Sequence, residues 1–343
     1  MKQLSLFDGT QRFVSDKPLR LIQLFAGYGS QALALDYLGI PFESWRISEW
    51  AINSIKAYKD LHHADDEVDY SKGMSTVKIQ EWLCGRISTN YSEPMTRQQI
   101  FRKSDKKVRA IYNNMMACRN LGSITKIHGP DLAIEDTDRY TYLMFYSFPC
   151  QDLSVAGKGA GCAKGSGTRS GLLWEVERIL DELHAADRGG RQLPQVLIAE
   201  NVPALLAEKN RPDFYEWLRK LESLGYHNYY QTLNAKNFGI PQNRDRVFIV
   251  SLLGDYYYDF PAPIPLEHRL KDVLETDVDE RYYLKDATVQ MYEDYVAKKQ
   301  AEGCGFDFAP TDGGGVALCI RTRAGSRTDD NYIEERNDAK KAN

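Results

Sequence analysis

Leu19-Arg20-Leu21-Ile22-Gln23-Leu24-Phe25-Ala26-Gly27-Tyr28-Gly29 is the stretch on which the reading of the whole chain turns. A short apolar run gives way to a glycine turn, and from Gln31 to Leu38 apolar residues recur at helical spacing. A strand period followed by a helix period across a tight turn is the opening of a βαβ unit. Working outward, strand patterns recur at Trp45 to Ser48, Tyr142 to Ser147, Val196 to Ala199, Tyr229 to Leu233 and Val247 to Leu252. Helical patterns lie between them, at Leu172 to Leu183 and Asp213 to Leu224. The alternation predicts an α/β fold with a doubly wound, mostly parallel sheet of the Rossmann-like type.

Two stretches break the rhythm. Residues 61–119 are polar, charged and weakly periodic, which predicts an inserted surface segment or small subdomain. Residues 256–343 carry proline punctuation at Pro261, Pro263 and Pro265 and a glycine patch at Gly313-Gly314-Gly315, so the expected division is a main domain over 1–255 and a different region after it. Leu6-Phe7-Asp8-Gly9 imitates the first turn, but no second glycine or amphipathic helix follows, and it reads as a decoy.

With 343 residues the chain accommodates one large domain and a smaller appendage. Its 43% hydrophobic and 27% charged residues place it among ordinary globular proteins. No apolar run approaches the roughly 20 residues that span a bilayer, and Met1 to Arg20 lacks a signal-peptide layout, so a cytoplasmic location without membrane contact is expected. The six cysteines are scattered with no C-x-x-C pair, which argues against both a zinc site and a disulfide framework, and no metal is expected. A net charge of −4 speaks weakly against a phosphate-coated surface. Locally, Arg97, Arg102, Lys103, Lys106, Lys107, Arg109 and Arg119 stand against only Asp105, and a solvated face and a phosphate-binding surface are equally good readings.

Several segments carry the elements of a site. Glycines in the Phe25–Gly29 turn let backbone approach a bound ligand, although a tight turn without a ligand is the commoner case. The next strand ends in Ser48-Glu49-Trp50, and an acid there is where doubly wound folds grip a ribose. The two signals together point to an adenosine-bearing cofactor. Ser147-Phe148-Pro149-Cys150-Gln151 ends a strand and so sets Cys150 at the carboxyl edge of the sheet, a position suited to a nucleophile; for an isolated cysteine, burial in a core is the usual alternative. Gly157, Gly159, Gly161, Gly165, Gly167 and Gly171, interleaved with Lys158, Lys164 and Arg169, read as a mobile basic lid, or else as a linker. Val196 to Ala199 delivers Glu200-Asn201-Val202 to the same edge, with Glu200 as a proton donor; the alternative is a helix-cap role for Asn201 before Pro203, which explains the asparagine but not the glutamate. Gln242-Asn243-Arg244-Asp245-Arg246, alone, reads as a solvated strand edge.

In this order, F-A-G-x-G, a strand-end Glu-Trp, P-C-Q, E-N-V and Q-x-R-x-R, the segments closely resemble the DNA cytosine-C5 methyltransferases. The resemblance runs from Leu21 to about Glu275, outside the insertion, and includes Leu233-Asn234-Ala235 and Gly239-Ile240-Pro241-Gln242. It implies an S-adenosylmethionine-dependent methyltransferase fold acting on double-stranded DNA, with Cys150 adding to carbon 6 of a flipped-out cytosine. Glu200 would bind and protonate ring N3, Arg246 would hold the base and Arg244 would brace the site. For the cofactor it implies Phe25, Ala26, Gly27, Tyr28 and Gly29, Glu49 on the ribose hydroxyls, Trp50 against the adenine, and Pro149 and Leu172 nearby. Gln151, Ser154, Lys158 and Arg169 would meet DNA.

Asn120-Leu121-Gly122-Ser123-Ile124 aligns with the family's G-D-I segment, where Ser123 replaces the adenine-binding acid and Ile124 follows it; a hydroxyl still accepts that bond, and weaker cofactor affinity is expected. Full-length relatives continue through a target-recognition region to a closing G-N-S or G-N-A segment. Residues 256–343 look like only the start of that region, so a truncated product or one half of a split enzyme, completed by a second polypeptide, is expected. A cognate restriction endonuclease is a further expected partner. Methylation of tRNA cytosine and a catalytically silent binding fragment remain as rival readings.

Overall fold

The predicted alternation appears as a single six-stranded sheet in the computed structural model, which describes residues 11–153, 161–186, 192–305, 307–320, 328 and 330–334. Its strands are β1 (Leu19–Leu24), β2 (Phe42–Ser48), β3 (Thr141–Tyr146), β4 (Val196–Asn201), β5 (Tyr226–Asn234) and β6 (Asp245–Leu253), in the order β2-β1-β3-β4-β6-β5. The first four run parallel, and β6 is antiparallel to β4. Strand and helix positions agree with the sequence reading apart from a few residues at their ends, where fraying and capping decide.

A parallel sheet needs both faces covered, and successive residues of a strand face opposite sides. Ile22 and Leu24 of β1, with Tyr142, Met144 and Tyr146 of β3, enter the larger core. There they meet α6 (Leu173–Ala186) and α7 (Arg211–Ser223), whose Val176, Ile179, Leu180, Leu183, Trp217 and Leu221 are buried. The alternate residues Leu21 and Leu143 face a smaller cluster with Ala32 and Leu35 of α1 (Ser30–Tyr37).

Register fixes where the site sits. Leu24 pairs with Ser48 on one side and with Tyr146 on the other, and Tyr146 pairs with Ala199. The carboxyl ends of four strands are therefore level, and Phe25–Gly29, Glu49-Trp50, Ser147–Cys150 and Glu200-Asn201 all leave one edge of the sheet.

The polar stretch 61–119 is a helical subdomain with its own core. After α2 (Ile52–His62) come α3 (Thr76–Leu83), α4 (Arg97–Phe101) and α5 (Asp105–Ala117). Ile79, Leu83, Ile87, Met95, Ile100, Val108, Ile111 and Met115 pack with Ile55 of α2. Val108, Ile111 and Met115 are spaced as one helix face, and Thr96 closes a capping box with Gln99 at the start of α4. Two backbone ties join the subdomain to the sheet edge. Ser88 donates its N–H to Trp50 O (2.7 Å) and accepts from Ile52 (3.0 Å), and at the subdomain's far end Arg119 accepts from Ile47 N–H (3.4 Å), with Leu121, just past it, donating to Ile47 O (2.9 Å).

The chain divides into two compact units, Met1–Gln231 with Val247–Phe260, and Thr232–Arg246 with Pro261–Asn343. The Gln242–Arg246 run thus belongs to the second unit, whereas the sequence division at 255/256 put it in the main domain. The reason is local pairing: Gln242 and Asn243 form a short parallel ladder with Ala317 and Leu318. In the same unit lie α8 (Asp286–Ala301) and a ring cluster of Tyr292, Phe308 and Tyr332. No described helix is long and apolar enough to cross a membrane. The decoy turn Leu6–Gly9 lies outside the described residues.

Candidate active site

The Phe25–Gly29 turn is gripped from two sides. Phe25, Gly27 and Gly29 all take positive φ (58°, 55° and 76°), which costs the glycines little and Phe25 more. From the β2 side, buried Glu49 accepts the Gly27 N–H at Oε2 (2.9 Å) and the Ala51 N–H at Oε1 (2.7 Å). Burial pushes its carboxyl above the usual range, and these backbone N–H bonds draw it partway back.

From the α2 side, His62 Nε2 lies 2.9 Å from the Tyr28 carbonyl, which can only accept, so Nε2 is the donor. A Cβ on Gly29 would fall 2.3 Å from that nitrogen and 2.6 Å from Cε2 of Tyr58. Tyr58 is fully buried and donates its hydroxyl to Gln23 Oε1 (2.6 Å), so it has no room to retreat. Glycine at 29 is thus dictated by the aromatic pair beneath the turn. At Gly27 the opposite holds: among the described residues nothing lies within 4 Å of a would-be Cβ, and Tyr28 beside it is exposed. That open backbone is the side from which a ligand can approach.

Gly29→Ala is therefore expected to destabilise the protein by about 1–3 kcal/mol, the scale of an overpacked site, and to weaken cofactor binding. Thermal unfolding and calorimetric titration read the two effects. Adding His62→Ala should restore part of the stability, since half of the clash is then gone; a double variant no better than Gly29→Ala would place the strain elsewhere.

Beside Glu49, Asn120 acts as a bracket. Its side chain accepts from Glu49 N–H (3.1 Å) and Gly122 N–H (2.9 Å) and donates to Glu49 O (2.9 Å). Ser48 Oγ donates to Gly122 O (2.8 Å). Ser123 and Ile124 are thereby held against the end of β2, both buried, with the Ser123 hydroxyl 3.0 Å from that of Thr125. The bracketing role of Asn120 is not legible in the sequence because Glu49, which it holds, is 71 positions away.

The Cys150 loop is pinned by its carbonyls. Asn201 Nδ2 donates to Phe148 O (3.1 Å), and the fully buried Ser170 donates to Pro149 O (2.7 Å). Asp152 accepts from the N–H groups of Arg169 (2.7 Å) and Ser170 (3.3 Å), drawing the turn before α6, with Leu172, up to the loop. Asn201 is thus no helix cap: the 3-10 turn begins at Pro203 behind Val202, and the asparagine instead joins two strand ends. That bond brings Cys150 and Glu200, each within two residues of it, to one corner of the edge. Burial pushes the thiols of Cys118 and Cys162 up to about 12, as befits packing residues. Cys150 is only half-buried, and Gln151 is exposed. Ser154 and Lys158, with Gly157 and Gly159 of the expected lid, lie outside the described residues.

Within the second unit, Asn234 organises the arginine run. It donates to Asn243 Oδ1 (2.7 Å) and Asp245 Oδ1 (2.8 Å) and accepts from Arg244 N–H (3.3 Å). Arg244 also reaches Cys319 Sγ (3.5 Å), and Arg246 donates to Asp245 O (2.7 Å).

A profile of the family described as C-5 cytosine-specific DNA methylase matches residues 83–341. Orphan methyltransferase M.SssI of Spiroplasma monobiae is 37% identical over 273 residues, 79% of this chain and 68% of that protein. Type II methyltransferase M2.ScrFI of Lactococcus lactis subsp. cremoris is 36% identical over 287 residues, 81% of this chain and 74% of its own. Among solved structures, the S. pombe Dnmt2 methyltransferase superposes with a TM-score of 0.51 at 16% identity, over 88% of this chain and 70% of that one, a likeness of fold.

Proposed function

Since the chain belongs to the C-5 cytosine-specific DNA methylase family and is a cytosine-5 DNA methyltransferase, we propose that it acts through a covalent Cys150 adduct on a flipped-out cytosine in duplex DNA. The observation that carries this reading is the Asn201–Phe148 bond, which gathers a half-buried cysteine and a carboxylic acid at the edge that also holds the Phe25–Gly29 turn. The turn suits an adenosine-bearing cofactor, with open space at Gly27, Glu49 and Trp50 at the end of β2, and Ser123 and Ile124 beside them.

S-adenosylmethionine, when bound there, supplies an electrophilic methyl group. The chain's task is to make carbon 5 of cytosine nucleophilic, which the ring alone is not. Cys150 does so by bonding its sulfur to carbon 6, and Glu200 holds a proton at N3 so that the ring can accept the electron pair. Loss of the carbon 5 proton after methylation returns that pair and expels the thiolate. A duplex hides carbon 6, so the base must leave the stack, at about a few kcal/mol. Base holding by Arg246, bracing by Arg244 and DNA contact by Gln151, Ser154, Lys158 and Arg169 rest on the resemblance, as do a second polypeptide and a restriction endonuclease partner; a cytoplasmic location rests on the apolar pattern of the sequence alone.

A duplex carrying 5-fluorocytosine tests the mechanism, because fluorine in place of the carbon 5 proton blocks elimination. Incubation with S-adenosylmethionine should leave DNA covalently joined to the peptide containing Cys150, identified by mass spectrometry. Attachment at another residue would overturn the Cys150 assignment, and trapping on tRNA alone would favour the RNA reading.

A further inference from the structure

The basic stretch of the helical subdomain resolves into two kinds of residue. Arg97 pairs with Glu81 (3.5 Å) and lies over the ring of Phe101 (4.1 Å). Arg109 pairs with Asp105 (2.9 Å) and donates to the carbonyls of Ser71 (3.0 Å) and Met74 (2.8 Å), and Arg119 pairs with Glu43 (2.6 Å). These three arginines are fastenings of the fold.

Arg102, Lys103, Lys106 and Lys107 are different: among the described residues none forms an ion pair, and all but the half-buried Lys103 are exposed. Lys78 joins them from the start of α3, where Thr76 bonds to Asp105, and it too is exposed and without an ion pair among the described residues. The fold does not explain this grouping. Lys106 and Lys107 occupy the first turn of α5, the end at which aligned peptide dipoles disfavour cations. Asp105, the acid in that turn, is already engaged by Arg109 and Thr76. The cluster costs electrostatic repulsion in a chain whose net charge is −4, and an external row of anions would relieve it.

We infer that this edge, Lys78 with Arg102, Lys103, Lys106 and Lys107, is a docking surface for the phosphate backbone of duplex DNA away from the reacting cytosine. The inference rests on the DNA methyltransferase reading. Exposed lysines and one arginine around a helix start supply point charges without a base-reading surface, which fits phosphates and predicts indifference to sequence.

The experiment compares the wild-type chain with Lys103→Gln/Lys106→Gln/Lys107→Gln in anisotropy titrations against duplex DNA across a range of sodium chloride concentrations. The slope of log affinity against log salt should become shallower by about two to three units, equally on duplexes of different sequence. An unchanged slope, or a change confined to one sequence or to RNA, overturns the inference. So does a wild-type chain that shows no salt-dependent duplex binding. Trapping on 5-fluorocytosine DNA in low salt separates the two layers: a trapped wild type with an unchanged slope rejects this surface alone, whereas no trapping rejects the methyltransfer mechanism. Unaltered thermal unfolding of the triple variant shows that the fold survived.

Discussion

Cys150→Ser is expected to lower methyl incorporation into duplex DNA by at least about 10⁴-fold, the scale on which loss of a covalent nucleophile is felt. A thiol near neutral pH supplies a few per cent of thiolate, whereas a hydroxyl supplies essentially no alkoxide, so addition to carbon 6 stops. Folding should be unaffected, because the loop is held through Phe148 O by Asn201 and through Pro149 O by Ser170. Tritiated methyl transfer at matched DNA occupancy is the measurement. Incorporation within tenfold of wild type would remove Cys150 from the mechanism and leave Glu200 acting on a ring activated in some other way.

Glu49→Gln should weaken S-adenosylmethionine binding by about 1–3 kcal/mol, roughly fivefold to more than a hundredfold. The substitution looks conservative and is not. Two backbone donors, Gly27 N–H and Ala51 N–H, point at two different carboxylate oxygens. A carboxamide offers one oxygen, so one N–H must face an NH2 group, donor to donor, in a buried site. The turn then loosens even where the ribose contact itself survives. Isothermal titration reads the loss, and an unchanged dissociation constant would mean that ribose and turn are both held by other groups.

How much of this was legible beforehand depended on range. The β1 strand, its turn and α1 could be read because period and glycine placement are local properties. The edge carrying Glu49, Cys150 and Glu200 followed from three strand ends and the rule that parallel sheets present their carboxyl ends together. Polar pairings between distant positions stayed hidden: Asn120 with Glu49 across 71 residues, Asn201 with Phe148 across 53, and His62 with Tyr28 across 34. Asn201 looked like a cap because asparagine before Pro203 often is one. The subdomain core was missed for another reason. Val108, Ile111 and Met115 do repeat as a helix face, but they are diluted by Asp105, Lys106, Lys107 and Arg109, and Ile87 and Met95 belong to no helix at all.

The ties through Ser88 and Leu121 give the helical subdomain a consequence for dynamics. A cluster of helices with its own core is the kind of unit that opens and closes by itself, and amide exchange would ordinarily follow it as a separate foldon. Here the Ser88 amide bonds to Trp50, and the Leu121 amide bonds to Ile47. Opening of the subdomain therefore strips hydrogen bonds from the backbone on both sides of Glu49. Its local unfolding and the holding of the nucleoside end of the cofactor draw on one equilibrium, so that a ligand seated at the sheet edge should slow deuterium uptake in α3 and α5, which line the same core.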